Sequence, residues 1–421
     1  MSATTSNSRR HDLDWLRVIA ILLLVFFHSA MPFVAEWGWH LKNSETSQLL
    51  LEFNFFMSRW RMALLFIISG VGTAYALGRR SFRTFSRERA KRLLVPLTFG
   101  ILVVVPPQVY MERLASGSAN SFLTFWPTIL TTGPYPTGNV SWHHLWFVAY
   151  LAIYTAVLMP LFLWLRGERR ERAEAMLQRV VRRAGLPVMA LPLALVLSAL
   201  YPAFMGPQNV IDDLAFLLYY MIFFLYGFLI AHARELWDRI ESDRGVSLRW
   251  ALGCTLLLNS LRWNGLDPYI EYSLASAAYL SLLALTAWCW VITILGFGKR
   301  WLNRPSRVLS YANEGIYPYY ILHQTVIVVL AYYVIPLQDG VFAKFAFLSL
   351  LSLVGTAAIY ETFVRPFGVM RFLMGMKPAS SAAQAAQATE AAQATEAATP
   401  RLRETVYLRG AQAGRANWGS E

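Results

Sequence analysis

The sequence predicts an all-α membrane protein, a polytopic bundle of about ten transmembrane helices. Three observations lead there. The 421 residues are 56% hydrophobic and only 15% charged, with a mean hydropathy of +0.40. Soluble domains carry about 25% charged residues. Apolar runs of about 20 residues recur along the whole chain. Finally, the basic residues alternate between successive connections, as they do in a chain threaded repeatedly through a bilayer.

The first span is expected over residues 13–34. It is long, has no convincing cleavage site and carries Asp14, Arg17 and His28, which sets it apart from a signal peptide. A second span at 51–77 leads into a basic loop at 78–92, and a third follows at 93–110. The outer loop at 111–143 contains FLTFWPTILTTGPYPTGN, aromatic and rich in turn residues, and is expected to fold over the mouth of the bundle. A fourth span at 144–165 ends in a basic loop at 166–186. The remaining spans are expected at 187–205, 213–232, 250–264, 274–296, 314–336 and 341–364. The chain thus divides into a short tail at 1–12, a membrane domain at 13–370 and a low-complexity tail at 378–421 that repeats AAQATE and is given no chemistry. The roughly 57 residues after the last span leave no room for a second globular domain.

Charge sets the expected orientation. Loops 78–92, 166–186, 233–249 and 297–313 hold 22 Lys and Arg, whereas the alternate loops hold only Lys42, Arg113, Arg262 and Lys344. The basic side is therefore read as cytoplasmic, with both termini on it. The net charge of +13 sits in these short loops, which argues against nucleic-acid binding. Cys254 and Cys289 both fall within apolar spans and form neither a zinc spacing nor a disulfide framework.

Ionisable residues inside the spans carry the functional signal. His28 follows Arg17 by eleven residues, about three helical turns and about 16 Å of rise, so the two share one stripe. Asp14 joins them three residues earlier. That stripe is expected to face the bundle interior, because ionisable groups facing lipid are costly. A snorkelling anchor for Arg17 and a hydrogen-bonded neutral imidazole for His28 are the structural alternatives. Arg61, in FMSRWRMALLFIISG, reaches a depth compatible with His28 and a shared outer cavity. SWHHLWF brings His144 to the same mouth, with His143 read as a loop residue. NEGIYPYYILHQ sets His323 at mid-depth, and Glu361 lies near the cytoplasmic end of the last span.

These pieces, in this order, resemble the acyltransferase-3 family of membrane proteins. The matching stretches are LDWLRVIAILLLVFFH with Arg17 and His28, MALLFIISG, RERAKRLLVP with Arg89 and Arg92, HLWFVAYL from His144, and GIYPYYILH ending at His323. WRMALLFIISG and HHLWFV are most similar to the branch that modifies periplasmic glucans, for which succinyl transfer is implied. Ala63 stands where the family usually has a small or proline residue, and the chain departs from many relatives in lacking their fused hydrolase-like domain.

The resemblance implies transfer of an acetyl or succinyl group from cytoplasmic acyl-coenzyme A to a hydroxyl of an extracytoplasmic carbohydrate, in a bacterial inner membrane. His28 is the implied base or acyl carrier, with Arg61 or His144 stabilising the oxyanion or orienting the acceptor. Arg17, Arg89 and Arg92 are the implied partners of the donor's phosphates, which suit the fixed fork of a guanidinium. His323 is counted with this donor-binding set, and no metal is expected. The alternative is a proton-coupled secondary transporter with a relay through Arg17, His28, His323 and Glu361. No similarity between the two halves of the chain supports it.

Overall fold

A computed structural model describes residues 9–118, 120–206 and 209–378. Most of the expected N-terminal tail, and the low-complexity tail from 379 onward, lie outside the described residues.

Fifteen α-helices and no β-strand make up the described structure. They are α1 (His11–Ala30), α2 (Gln48–Gly78), α3 (Phe82–Phe99), α4 (Pro106–Ala115), α5 (Phe122–Phe125), α6 (Trp146–Trp164), α7 (Glu168–Ala184), α8 (Leu191–Leu200), α9 (Leu214–Ile230), α10 (Arg234–Ser242), α11 (Arg244–Trp263), α12 (Leu274–Trp301), α13 (Arg307–Val334), α14 (Val341–Ile359) and α15 (Gly368–Leu373). Helix α1 packs against α2, α12, α13 and α14, so its faces are largely enclosed by protein. Helix α3 packs on α6, and α4 on α13.

Six helical stretches are long and apolar enough to cross a membrane: His11–Phe33, Gln48–Gly78, Phe82–Ala115, His143–Trp164, Leu274–Trp301 and Val341–Val364. The number rises to eight if each of two bent pairs counts as one span. The expected count of ten is not reached on this measure. The spans expected at 250–264 and 314–336 fall on α11 and α13, and both are too polar to qualify. Helix α13 carries Asn313, Glu314, His323 and Gln324, and α11 carries Arg244, Arg249 and Arg262.

The basic connections also differ from the loops expected. Helix α3 starts at Phe82, where Ser81 caps it by accepting from the Thr84 N–H at 3.3 Å. Most of the 166–186 connection is α7, at 118° to the stretch that follows, and α10 lies at 113° to α9. Arg, Glu and Ala are good helix formers, so these segments coil. Their charge keeps them from continuing along the apolar axis.

Two local features shape the bundle. Helices α2 and α9 touch backbone to backbone at Gly70 and Gly227. A Cβ at Gly70 would collide with the Phe224 carbonyl, and one at Gly227 with the Ile67 carbonyl. Between α3 and α4 the helix opens into a π turn at Gly100–Val104. Pro106 cannot donate to the Leu102 carbonyl, which accepts instead from Trp126 Nε1 at 2.8 Å. The Val104 carbonyl accepts from the Thr325 hydroxyl at 2.6 Å. The outer loop thereby docks on this opening, and Arg113 donates to the carbonyls of Pro136 and Gly138 at 2.6 and 3.1 Å.

Candidate active site

At the basic end of α1, Arg17 Nη2 donates to Asp14 Oδ1 at 2.9 Å and to Asn313 Oδ1 of α13 at 2.7 Å. Arg89 reaches across from α3, its Nε 3.4 Å from Thr155 Oγ1 on α6. Arg92 lies one turn further along α3 with its side chain exposed, and its carbonyl accepts from Tyr317 at 3.2 Å. Three donors here are buried without an acceptor: Arg17 Nε, Arg89 Nη2 and Asn313 Nδ2. A buried donor left unpaired costs about 1–3 kcal/mol, more when charged. This end thus combines unsatisfied donors with positive charge, a setting that favours anionic acceptor oxygens.

About three turns along α1, His28 Nδ1 lies 3.0 Å from His323 Nε2, with the two rings 8° from parallel. The other nitrogen of His323, Nδ1, lies 2.6 Å from the Tyr320 carbonyl, which can only accept. Protons assigned from these partners place a hydrogen on His323 Nδ1 and leave its Nε2 as an acceptor. His28 must then donate through Nδ1, and its Nε2 carries the free lone pair. The residue as a whole is 8% exposed. The arrangement yields one imidazole in a fixed tautomer with one basic nitrogen available.

His144 is placed differently. Its Nε2 donates to the Ile321 carbonyl at 2.9 Å, and its Nδ1 faces Gln108 Nε2 at 3.5 Å. Both nitrogens are committed. The ring stands at right angles to His323, centroids 5.2 Å apart. The sequence reading gave His144 a part in stabilising the oxyanion or orienting the acceptor, and the structure sets it beside His323. His323, counted with the donor-binding residues, lies against His28 because α13 crosses α1 at that depth.

Arg61 is 3% exposed and stacks on Phe27, its guanidinium carbon 4.0 Å from the ring centroid. Phe27 in turn stands edge-on to His28. Arg61 Nε and Nη1 have no partner, and among the described residues no carboxylate pairs with it. Such a charge calls for an anionic or strongly polarised oxygen from outside the chain. Glu361 lies apart from all of this, paired with Arg365 at 2.9 Å and accepting from Tyr311.

Residues not singled out in the sequence complete the outer part. His40, in the loop after α1, donates from Nδ1 to Glu112 Oε2 at 2.7 Å. Tyr135 donates to the same carboxylate, at 3.1 and 3.2 Å. Burial and the Glu112 charge push the Tyr135 phenol up to about 12, so it remains a donor. Gln324 Nε2 bridges Gln108 Oε1 at 3.0 Å and His40 Nε2 at 3.4 Å. Five of the seven histidines, His28, His40, His143, His144 and His323, thus gather in one region. That enrichment was countable in the sequence only with the fold in hand.

A family model described as an acyltransferase domain, acyltransferase 3, matches residues 10–361. A protein named glucans biosynthesis protein C from Escherichia coli (strain SMS-3-5 / SECEC) is 26% identical over 384 residues, 88% of this chain and 95% of the relative. Its counterpart in Escherichia coli (strain K12 / DH10B) is 25% identical over the same extents. No solved structure gives a significant match. The transporter alternative drops out, and the chain belongs to the acyltransferase-3 family: it is a membrane-embedded acyltransferase.

Proposed function

We propose that the protein moves an acetyl or succinyl group from acyl-coenzyme A, on the side of the basic segments, to a hydroxyl of a glucan on the opposite side of a bacterial inner membrane. Both chain termini would then face the cytoplasm. The glucan acceptor is inferred from the printed names of the relatives. The observation that carries the reading is α1 itself. One stripe of this helix presents Arg17 among unpaired donors at its basic end and His28, free at Nε2, about three turns away. A polyanionic donor suits the first site. A long flexible thioester arm suits the apolar gap between them.

In this reading, Arg17, Arg89, Arg92 and Asn313 hold the donor's phosphates. His28 Nε2 takes the proton of the acceptor hydroxyl as its oxygen bonds to the acyl carbon. The thioester C–S bond breaks, and His28 returns the proton to the departing sulfur. His323 holds the tautomer and shares the positive charge that His28 acquires. Arg61 faces the charge developing on the acyl oxygen.

The test is mass spectrometry of periplasmic glucans from cells with and without the protein, followed by transfer with purified protein in lipid. Acyl-substituted glucans present only with the protein are the expected result. Unmodified glucans in both strains would overturn the acceptor assignment.

A further inference from the structure

Two ring nitrogens at the outer mouth are buried and have no partner: Trp39 Nε1 and His143 Nε2. They belong to one run of rings in contact, edge to face at every step but the tilted one between Trp39 and His28. Trp39 lies 5.2 Å from His28 and 5.1 Å from His40, and His40 lies 4.6 Å from His143, all between centroids. Tyr135 closes the run, 4.8 Å from His143. The run leads from the free imidazole to the outer loop.

Both orphaned nitrogens can serve as donors. An indole nitrogen can only donate. For His143, Ser141 Oγ accepts from the backbone N–H at 3.0 Å and lies 3.2 Å from Nδ1. We assign the serine proton to Nδ1, which leaves the ring hydrogen on Nε2. The backbone of His143 is also held at φ +36°, a conformation that residues with a Cβ rarely adopt. Nothing in the packing of the ring uses Nε2 in return.

Between these donors, His40 is fully committed: Nδ1 to Glu112 and Nε2 to Gln324. It separates the two orphans and offers a ligand no hydrogen bond of its own. Separated N–H donors set among aromatic rings match a sugar ring, whose C–H groups pack on aromatics while its oxygens accept.

From this we infer that Trp39 and His143 form the acceptor subsite, binding the oxygens of a sugar residue whose neighbouring hydroxyl is brought to His28 Nε2. The inference rests on the proposed carbohydrate acceptor. It goes further in assigning that acceptor's contacts to the loop after α1 and to the residue preceding His144. They are binding residues and exchange no proton with the reacting atoms.

The test uses full-length protein in lipid nanodiscs and a soluble gluco-oligosaccharide as probe. Binding is measured by calorimetry without donor, and transfer kinetics separately. Trp39→Phe keeps an aromatic ring and deletes the donor. His143→Asn tolerates positive φ and keeps an amide donor, while His143→Gly tolerates it and removes the donor. Trp39→Phe and His143→Gly should each weaken oligosaccharide binding and raise its KM by about three- to ten-fold, the scale of one hydrogen bond. Affinity for acyl-coenzyme A should stay within about two-fold, and His143→Asn should recover part of the loss. Unchanged oligosaccharide affinity in both donor-deleting variants would overturn the subsite, as would an absence of oligosaccharide binding to the parent protein. Weakened binding in those variants alongside no transfer by the parent protein would uphold the subsite and sink the proposed reaction instead.

Discussion

His28 and His323 are 295 residues apart in the chain, yet His28 Nδ1 and His323 Nε2 approach to 3.0 Å with nearly parallel rings. The Tyr320 carbonyl fixes the proton on His323, His323 fixes the proton on His28, and the free lone pair emerges at His28 Nε2. A backbone carbonyl thus sets which nitrogen is basic, two rings away.

The first prediction follows from that free nitrogen. His28→Gln retains hydrogen-bonding capacity but cannot take up a proton near neutral pH. It should fold and bind acyl-coenzyme A, yet lose transfer by about 100-fold or more. Turnover of purified variant in lipid, normalised to bound donor, checks this. Near-normal turnover would reduce the pair to a packing feature.

His323 acts through His28, so its variants should separate geometry from chemistry. His323→Gln offers an amide oxygen to His28 Nδ1, and His323→Leu offers nothing. The leucine variant should lose kcat by about ten-fold or more relative to the glutamine variant, with little change in acceptor KM. Equal kcat for the two would mean that His28 needs no fixed tautomer.

At the basic end, Arg89 is half-buried with an unpaired Nη2, while Arg92 is exposed. Replacing Arg89 with Ala should weaken acyl-coenzyme A binding by about 1–3 kcal/mol. Arg92→Ala should cost less, and its effect should fade with added salt because exposed charges are screened. Titration calorimetry at two ionic strengths gives both comparisons. Unchanged affinity in the double variant would leave both arginines as orientation signals only.

Orientation has its own check. Thr84 is exposed in the basic segment, and both native cysteines are buried. A Thr84→Cys variant should resist a membrane-impermeant thiol reagent in intact cells and react once the membrane is opened. Labelling in intact cells would invert the proposed arrangement.

The α2–α9 crossing supplies a stability prediction. Gly70→Ala places a methyl group against the Phe224 carbonyl and should cost about 1–3 kcal/mol, read as a lower unfolding temperature in detergent. Gly72→Ala meets nothing within 4 Å and serves as the neutral control. Equal unfolding temperatures would mean that the helices separate without cost.

The sequence by itself determined what depends on local geometry and solvent. Composition and the lengths of the apolar runs required helices in a membrane, because an unpaired backbone in lipid is prohibitively costly. The eleven-residue spacing put Arg17 and His28 on one stripe, because helical periodicity is a property of the chain alone. Motif order was enough to bring out the family resemblance. Only the tertiary structure decided which polar groups meet. It paired His28 with His323, committed both nitrogens of His144, and brought His40 from the loop after α1 to Glu112 on α4. It also turned expected basic loops into helices lying steeply across the spans. The reason is physical. A hydrogen bond between residues hundreds of positions apart is set by how helices cross, and crossings depend on close approaches such as Gly70 on Gly227 and on opened turns such as Gly100–Val104. Neither leaves a periodic trace in the sequence.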